Sequence, residues 1–287
     1  MKKLILVVGI LTQSYFGITQ EIKVIREKKI EHHIYGIGGL TFDGRDLYLK
    51  PSMVPYIYRI DTSTFQIKKT LDFILPPGYE GRGYMQRSVT ISHNNCRQLL
   101  VGWAGSERIY KVNKYNGKID GSIPGPIGKI DSLYWDPYHE KEGMGNSFEQ
   151  YEGIVYNKGY YWVLFRSLGT YEYLEIPDSL NGEEEYQLQK LDSRGKLIES
   201  FIIPNKKCGR PYCKELMSLT LHKGYIYLSA INGRSSKFEI WKIDPKNGEI
   251  IYKIPTKYHI LGMTSYKDNL IVINARGGIL LEIEIIE

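Results

Sequence analysis

The residue with the clearest capacity for chemistry is Glu152, an acid flanked by aromatic and apolar residues in the phrase Tyr-Glu-Gly-Ile-Val-Tyr at 151–156. A carboxyl group that is shielded from water ionises less readily, so it can act as a general acid or base or bind an amine. In the alternative, structural interpretation, Glu152 accepts backbone N–H bonds at a strand start or pairs with Arg87 or Arg166. The residue types alone leave both interpretations open.

Several further residues stand where a ligand could contact them. Trp103, in the phrase Val-Gly-Trp-Ala-Gly-Ser, could stack on a ligand, and a tryptophan packed inside the structure is the alternative. The candidate ligand-binding residues are Arg87, Trp103, Trp135, Tyr151, Arg166 and Glu215.

The sequence offers little for metal or cofactor chemistry. His139 with Glu142 suggests a metal site, but a convincing set of further ligands is missing. P-loop, GxGxxG, nucleophile-elbow and HExxH motifs are absent, so we expect neither a metal nor a cofactor. Cys208 and Cys213 bracket Gly-Arg-Pro-Tyr and could form a small-loop disulfide if the protein is exported.

The composition indicates a folded protein that is only mildly basic. Hydrophobic residues make up 42% of the 287 residues, which is sufficient for a core. The net charge is +6, but the lysines are scattered and usually lie near acids. We therefore expect no nucleic acid partner, and instead a small-molecule or peptide ligand or a protein partner.

The N-terminus resembles a secretory signal peptide. Lys2 and Lys3 precede an apolar run from Leu4 to Leu11, which is too short to span a bilayer. We expect residues 1–19 to be removed, which leaves an extracytoplasmic (periplasmic or secreted) chain without a membrane span. A buried first strand is the alternative for this segment.

One phrase recurs along the rest of the chain and predicts its architecture. The first four copies hold an apolar strand, a tight turn, a second strand, a third strand ending in Asp or Asn, and a fourth strand, and the fifth copy begins in the same way. Four strands repeated radially form a β-propeller blade. The alignment places five residues at one structural position: Leu40, Val89, Ile154, Leu219 and Met263.

The sequence therefore predicts an all-β fold in which residues 20–287 form a single five-bladed β-propeller. The fifth copy lacks its fourth strand, and residues 21–30 alternate as that strand should, so we expect them to pair with the last blade and close the ring. Six blades is the alternative if residues 124–150 form a degenerate blade.

The lengths of the connections predict that one face of the propeller does the work. The turns between strands one and two, and between strands three and four, are short. Four connections are long and fall on the opposite face, around the central channel: 74–86, 124–150, 167–184 and 204–214. Long irregular loops are uncommon without a function. The alternative is that insertions accumulated on this face without serving one.

The blade phrase resembles the broad NHL/YVTN-like superfamily of extracytoplasmic propellers, and its closest specific match is the five-bladed glutaminyl cyclase family. Tyr-Glu-Gly-Ile-Val at 151–155 resembles that family's inner-strand glutamate phrase, and Trp103 resembles its tryptophan after a second strand. Glu215 loosely resembles a further acidic position, whereas Gly38 stands where the first blade of the family has its acid. Gluconolactonase-like propellers are a weaker comparison.

Two functional hypotheses follow from these features. In the first, the chain is a binding propeller that holds its ligand or partner on the long-loop face. In the second, implied by the resemblance, it is an enzyme that cyclises N-terminal glutamine, with Glu152 as the general acid/base and Trp103 forming part of the wall of the site.

Overall fold

The computed structural model describes residues 21–30, 38–51, 54–73, 89–103, 108–124, 149–167, 185–203, 214–232, 237–275 and 278–286. These segments form twenty β-strands: β1 (Glu21–Lys29), β2 (Gly39–Phe42), β3 (Asp46–Lys50), β4 (Tyr56–Asp61), β5 (Ile67–Asp72), β6 (Val89–His93), β7 (Gln98–Trp103), β8 (Arg108–Asn113), β9 (Ile119–Pro124), β10 (Glu149–Asn157), β11 (Tyr160–Ser167), β12 (Glu185–Leu191), β13 (Leu197–Ile203), β14 (Lys214–His222), β15 (Tyr225–Asn232), β16 (Lys237–Ile243), β17 (Ile250–Thr256), β18 (Ile260–Tyr266), β19 (Asn269–Asn274) and β20 (Ile279–Ile286).

The strands pair into five antiparallel sheets of four, which are the five blades of a β-propeller. Blades one to four run from the inner to the outer strand as β2–β5, β6–β9, β10–β13 and β14–β17. The fifth blade is ordered β18, β19, β20 and β1. The chain thus closes its ring with its N-terminal strand, as the sequence predicts. Within the described segments, no membrane-spanning helix is found.

The closing strand is fastened to the first blade by side chains as well as by its own sheet. Arg26 of β1 donates to the backbone carbonyl of Thr62 at 2.8 Å and pairs with Glu282 of β20, also at 2.8 Å. Its guanidinium lies 4.0 Å from the ring centroid of Phe65. These contacts join the last blade to the first without a covalent link. The closing strand β1 is therefore held by blade one as well as by its own sheet.

Phe65 adopts the left-handed backbone conformation, at a turn position where two other blades have glycine. Its φ is +55°, and the residues at the same turn position in blades two and four are Gly117 and Gly248. A residue with a side chain pays about 1–2 kcal/mol for this left-handed conformation. Phe65 is almost completely buried, and its packing beneath Arg26 offsets that cost.

Hydroxyl groups link the inner strands of neighbouring blades around the channel. At four of the five junctions, a Ser or Thr hydroxyl accepts a hydrogen bond from a backbone N–H of the next inner strand. The donor and acceptor pairs are Phe42 with Thr264, His93 with Thr41, Tyr156 with Ser92, and Ser265 with Thr220. Val155 occupies the equivalent position at the junction of blades three and four, and it has no hydroxyl to contribute.

These bonds correct one detail of the sequence alignment. Ser92 occupies the hydroxyl position in blade two, so the residue equivalent to Leu40 is Ile91 and not Val89. The alignment was wrong by two residues because the first turn of blade two, residues 94–97, is longer than its counterparts at 158–159 and 223–224.

Direct contacts between blades two and three also exclude the six-bladed alternative. Thr90 of β6 accepts a hydrogen bond from the backbone N–H of Ile154 in β10 at 2.9 Å, and Ser92 accepts one from Tyr156 at 3.0 Å. Since these inner strands touch, no blade lies between them, and the fold is five-bladed.

The hydrophobic core is divided among the junctions between blades. Each of the five buried clusters joins two neighbouring blades: for example, Tyr48 and Ile57 of blade one pack with Ile91 and Val101 of blade two. The other four clusters fill the remaining junctions in the same manner. Alternation along each strand sends successive side chains to the two neighbouring blades, which explains why the blade phrase is apolar at nearly every inner position.

Candidate functional site

The two faces of the propeller differ in how the strands are connected. On one face, the connections range from two-residue turns such as 158–159 to the longest, 244–249. These turns are closed by their own backbone hydrogen bonds and by Asp or Asn side chains; Asp244, for example, accepts from the N–H of Lys246. The opposite face, called here the long-loop face, carries the connections 125–148 and 168–184.

Glu152 lies at the long-loop end of β10, the inner strand of blade three. Its side chain is buried, with 7% of its surface exposed. The pairing of β10 with β11 shifts register between Tyr151 and Gly153, so Glu152 is the extra residue of a β-bulge. Bulges re-aim side chains and occur often beside functional sites. The acid that the sequence singled out therefore lies at an irregularity of an inner strand, out of bulk water.

The glycine after Glu152 is required by close packing between blades. A Cβ at Gly153 would lie 2.3 Å from the Cβ of Leu219 and 2.7 Å from its backbone nitrogen, in the inner strand of blade four. Gly39 faces Ile91 in the same way, with 2.4 Å to a backbone nitrogen. The Glu-Gly pair thus combines a buried acid with a close approach of two inner strands.

Four other predicted residues lie on strands at the same face. Trp103 ends β7 in blade two, Tyr151 and Arg166 lie near the paired ends of β10 and β11, and Glu215 is the second residue of β14 in blade four. The backbone brings these residues to three adjacent blades around Glu152, and their role as ligand contacts stays a prediction. The remaining predicted residues, Arg87, Trp135, Cys208 and Cys213, lie outside the described residues, as do His139 and Glu142.

Lys50, a buried amine on the same face, was not among the residues predicted from the sequence. Lys50 ends β3 opposite Gly39, is 4% exposed, and donates to the backbone carbonyls of Pro51 and of Val54, the latter at 2.8 Å. Its ammonium lies 5.5 Å from the centroid of Phe73, at the junction of blades one and two. Burial lowers the pKa of Lys50 to about 7. The only signal in the sequence was a lysine at the end of an otherwise apolar second strand.

The turn face contains a buried ion pair whose role is structural. Lys114 of the blade-two turn pairs with Asp43 of the blade-one turn, and both side chains are largely buried. Burial alone would raise the pKa of Asp43, but hydrogen bonds from the backbone N–H of Asp46 and from Lys114 outweigh it and hold the pKa below its ordinary value. The pair joins two neighbouring blades beneath a face that is otherwise made of short turns.

Metal-binding groups are not assembled within the described part of the chain. None of the described segments brings together three or more His, Cys, Asp or Glu side chains in an arrangement that could hold an ion. Carboxylate and amine groups are the chemistry that the described residues offer at the long-loop face.

Comparison with solved structures identifies the fold. The crystal structure of Myxococcus xanthus glutaminyl cyclase matches with a TM-score of 0.58 at 12% identity, over 93% of this chain and 97% of that one. This chain is a five-bladed propeller that shares its fold with glutaminyl cyclase. The superfamily resemblance read from the blade phrase is thereby confirmed at the level of the fold.

Two other propellers match less well. PQQ-bound aldose sugar dehydrogenase from Streptomyces coelicolor gives a TM-score of 0.47 at 11% identity, covering 93% of this chain and 98% of that one. BamB from Moraxella catarrhalis gives 0.38 at 10%, covering 92% and 100%. No known family description matches the sequence, and no curated protein is similar to it in sequence.

Proposed function

We propose that this protein is a binding propeller that holds a small molecule, a peptide or a protein partner on its long-loop face, around the central channel. The observation that carries the proposal is the difference between the faces: residues 158–159 and 223–224 close one face tightly, whereas the longest connections, 125–148 and 168–184, all leave from the other. Binding residues are concentrated on loops that a rigid scaffold positions.

The chemistry at the strand ends of that face suggests the kind of group it receives. Glu152 is a buried acid in the long-loop half of the inner strand β10, and a carboxylate there can accept a hydrogen bond from an amine or another donor of a ligand. Trp103, at the end of β7 in the neighbouring blade, would add an aromatic surface. We therefore favour a ligand that carries a cationic or amide group beside an apolar or planar part.

We also propose that the protein works outside the cytoplasm. The segment 1–19 has the order of regions expected of a signal peptide, and the closing strand β1 begins at Glu21, two residues after Thr19. Removing that segment would leave the ring-closing strand complete. The N-terminal sequence of the protein recovered from its native cells, read by mass spectrometry, tests this point, and an intact Met1 would contradict it.

Binding can be tested with peptide and glycan arrays probed by the purified wild-type protein and two variants. Glu152→Ala changes the long-loop face, and Glu249→Ala changes an exposed acid in a tight turn of the opposite face. We expect at least one class of binder that Glu152→Ala loses and Glu249→Ala keeps. Binding that only Glu249→Ala removes, or an array without any binder, would overturn the proposal.

A second candidate function is cyclisation of N-terminal glutamine. It is favoured by the burial of Glu152 on an inner strand, together with the fold shared with glutaminyl cyclase. The N-terminal amine would attack the side-chain amide carbon of glutamine, forming the ring C–N bond while ammonia leaves. Glu152 would take the proton from the amine and deliver it to the departing nitrogen, so the step consumes no other reactant.

Mass spectrometry of a Gln-initiated peptide incubated with the protein distinguishes the two candidates. The enzyme would release a product lighter by one ammonia, Glu152→Gln would lower the rate by about 100-fold or more, and Glu249→Gln would leave it unchanged. No product between about pH 6 and pH 9 would remove the enzyme hypothesis, because a general acid/base tuned for catalysis works near the operating pH.

A further inference from the structure

The outer strand of blade three, β13, exposes a row of aliphatic side chains. Leu197 is 49% exposed, Ile198 is 50% exposed and Ile202 is 65% exposed, the last being the most exposed large hydrophobic residue in the described part of the chain. β13 pairs with β12 on one side, and it is the edge strand of its sheet. An edge strand presents backbone N–H and C=O groups that can pair with another strand.

The other outer strands carry features that discourage such pairing. β5 has adjacent lysines, Lys68 and Lys69, and β17 has Lys253 and Pro255. β9 holds Asp120, and β1 is charged at most of its positions. Charged residues and proline are the usual protection of sheet edges. In β13 the single charged residue is Glu199.

We propose that β13 pairs with β13 of a second copy of this chain in an antiparallel manner, with the two-fold axis at Ser200. The strand is self-complementary in this register. Ile198 lies opposite Ile202 of the second copy, Leu197 opposite Ile203, and Glu199 opposite Phe201, so carboxylates do not face each other. Cross-strand aliphatic pairs stabilise a sheet, and an isologous contact closes after two copies.

The same operation does not suit the neighbouring outer strand. A two-fold axis at the centre of β17 would set Lys253 against Lys253, and Pro255 has no N–H to donate. Like charges directly opposite each other are destabilising. Of β13 and β17, only β13 suits antiparallel pairing with itself about the centre of the strand.

The proposed contact leaves the binding surface of each copy open and does not depend on what that surface binds. β13 lies on the outer rim of the propeller, and antiparallel pairing points the long-loop faces of the two copies in opposite directions. The contact is one strand wide, which puts it at the small end of stable interfaces. We expect a reversible dimer whose fraction rises with protein concentration.

Light scattering after gel filtration and symmetric crosslinking test the proposal together. Ile202→Lys places a charge in the interface and should yield a monomer, whereas Ile251→Lys, a 46%-exposed isoleucine on β17, should leave the dimer intact. Circular dichroism and thermal unfolding check that both variants are folded. A monomeric wild type at every concentration, or an Ile202→Lys protein that still dimerises, overturns the proposal.

Crosslinking tests the register. In a Cys96→Ser background, which removes an exposed thiol, Ser200→Cys should oxidise to a covalent dimer because it faces itself across the axis. Ile198→Cys should not, since two copies of residue 198 would lie about 13 Å apart along the strands, beyond the reach of a disulfide. Equal crosslinking at both positions would contradict this pairing.

Discussion

Gly153, the residue after Glu152, allows the inner strands of blades three and four to approach more closely than any side chain would permit. Gly153→Ala would place a methyl group 2.3 Å from the Cβ of Leu219, and the contact involves backbone that cannot move independently. We expect a loss of about 1–3 kcal/mol in the free energy of unfolding, measured with urea. Thr70→Ala, at an exposed position of the outer strand β5, is the control and should change the free energy of unfolding by less than about 0.5 kcal/mol.

Lys50 should make the stability of the protein depend on pH in the alkaline range. Its pKa is about 7 in the folded chain and 10.5 ordinarily, so between these values the unfolded chain holds one more proton. The free energy of unfolding therefore rises with pH between these two pKa values, by up to about 1.4 kcal/mol per pH unit. Below the folded-state pKa of about 7, Lys50 is charged in the folded chain and the full cost of burying that charge is present.

Lys50→Met removes this titration. Relative to the wild type, the variant should be most stable near neutral pH and should lose that advantage as the pH rises toward 10. Urea unfolding of both proteins at several pH values measures the difference. A difference that does not change with pH would mean that Lys50 keeps an ordinary pKa in the folded chain.

At the scale of single elements, hydroxyl groups align the inner strands with one another. Thr41 accepts the N–H of His93 at 2.9 Å, and its side chain is buried. Thr41→Val keeps the shape but leaves that N–H without its acceptor, which should cost about 1–3 kcal/mol in the free energy of unfolding. Thr70→Val, on the exposed outer strand of the same blade, is the control and should be nearly neutral.

The elements were the part of the structure that the sequence predicted best, because each depends on a local pattern. Alternation and turn residues located the blades, and residues 21–30 were predicted as the closing strand from their alternation alone. The register of β6 was wrong because its turn at 94–97 has extra residues, and nothing local to Val89 reveals that. Lys50 was missed because its burial is produced by the neighbouring blade, through Phe73.

The burial of Glu152 was predictable from the sequence, whereas the bulge at which it lies was not. Glu152 was found because it is an acid among apolar residues, and the structure shows it to be buried on an inner strand. Its bulge arises from the pairing between β10 and β11, which the sequence does not display. Likewise, Phe65 occupies a turn position where other blades have glycine, and the sequence around it does not reveal why. The explanation is its packing beneath Arg26, which is distant in sequence.

At the scale of the whole molecule, stability should depend on how the ring closes. Arg26 connects the last blade to the first through Thr62, Phe65 and the partly buried Glu282. Arg26→Ala removes these contacts and should cost about 2–3 kcal/mol. Lys23→Ala removes the exposed pair with Glu284 from the same strand and should cost less than about 1 kcal/mol. Equal effects in thermal unfolding would show that the ring does not rely on this junction.

Hydrogen exchange on the protein, with and without the tightest binder found on the arrays, tests most directly the claim that the long-loop face is the binding face. We predict slower exchange in the long-loop ends of the strands around Glu152, namely 149–153 and 101–103, with unchanged turns at 158–159 and 223–224. Protection confined to those turns would contradict the account.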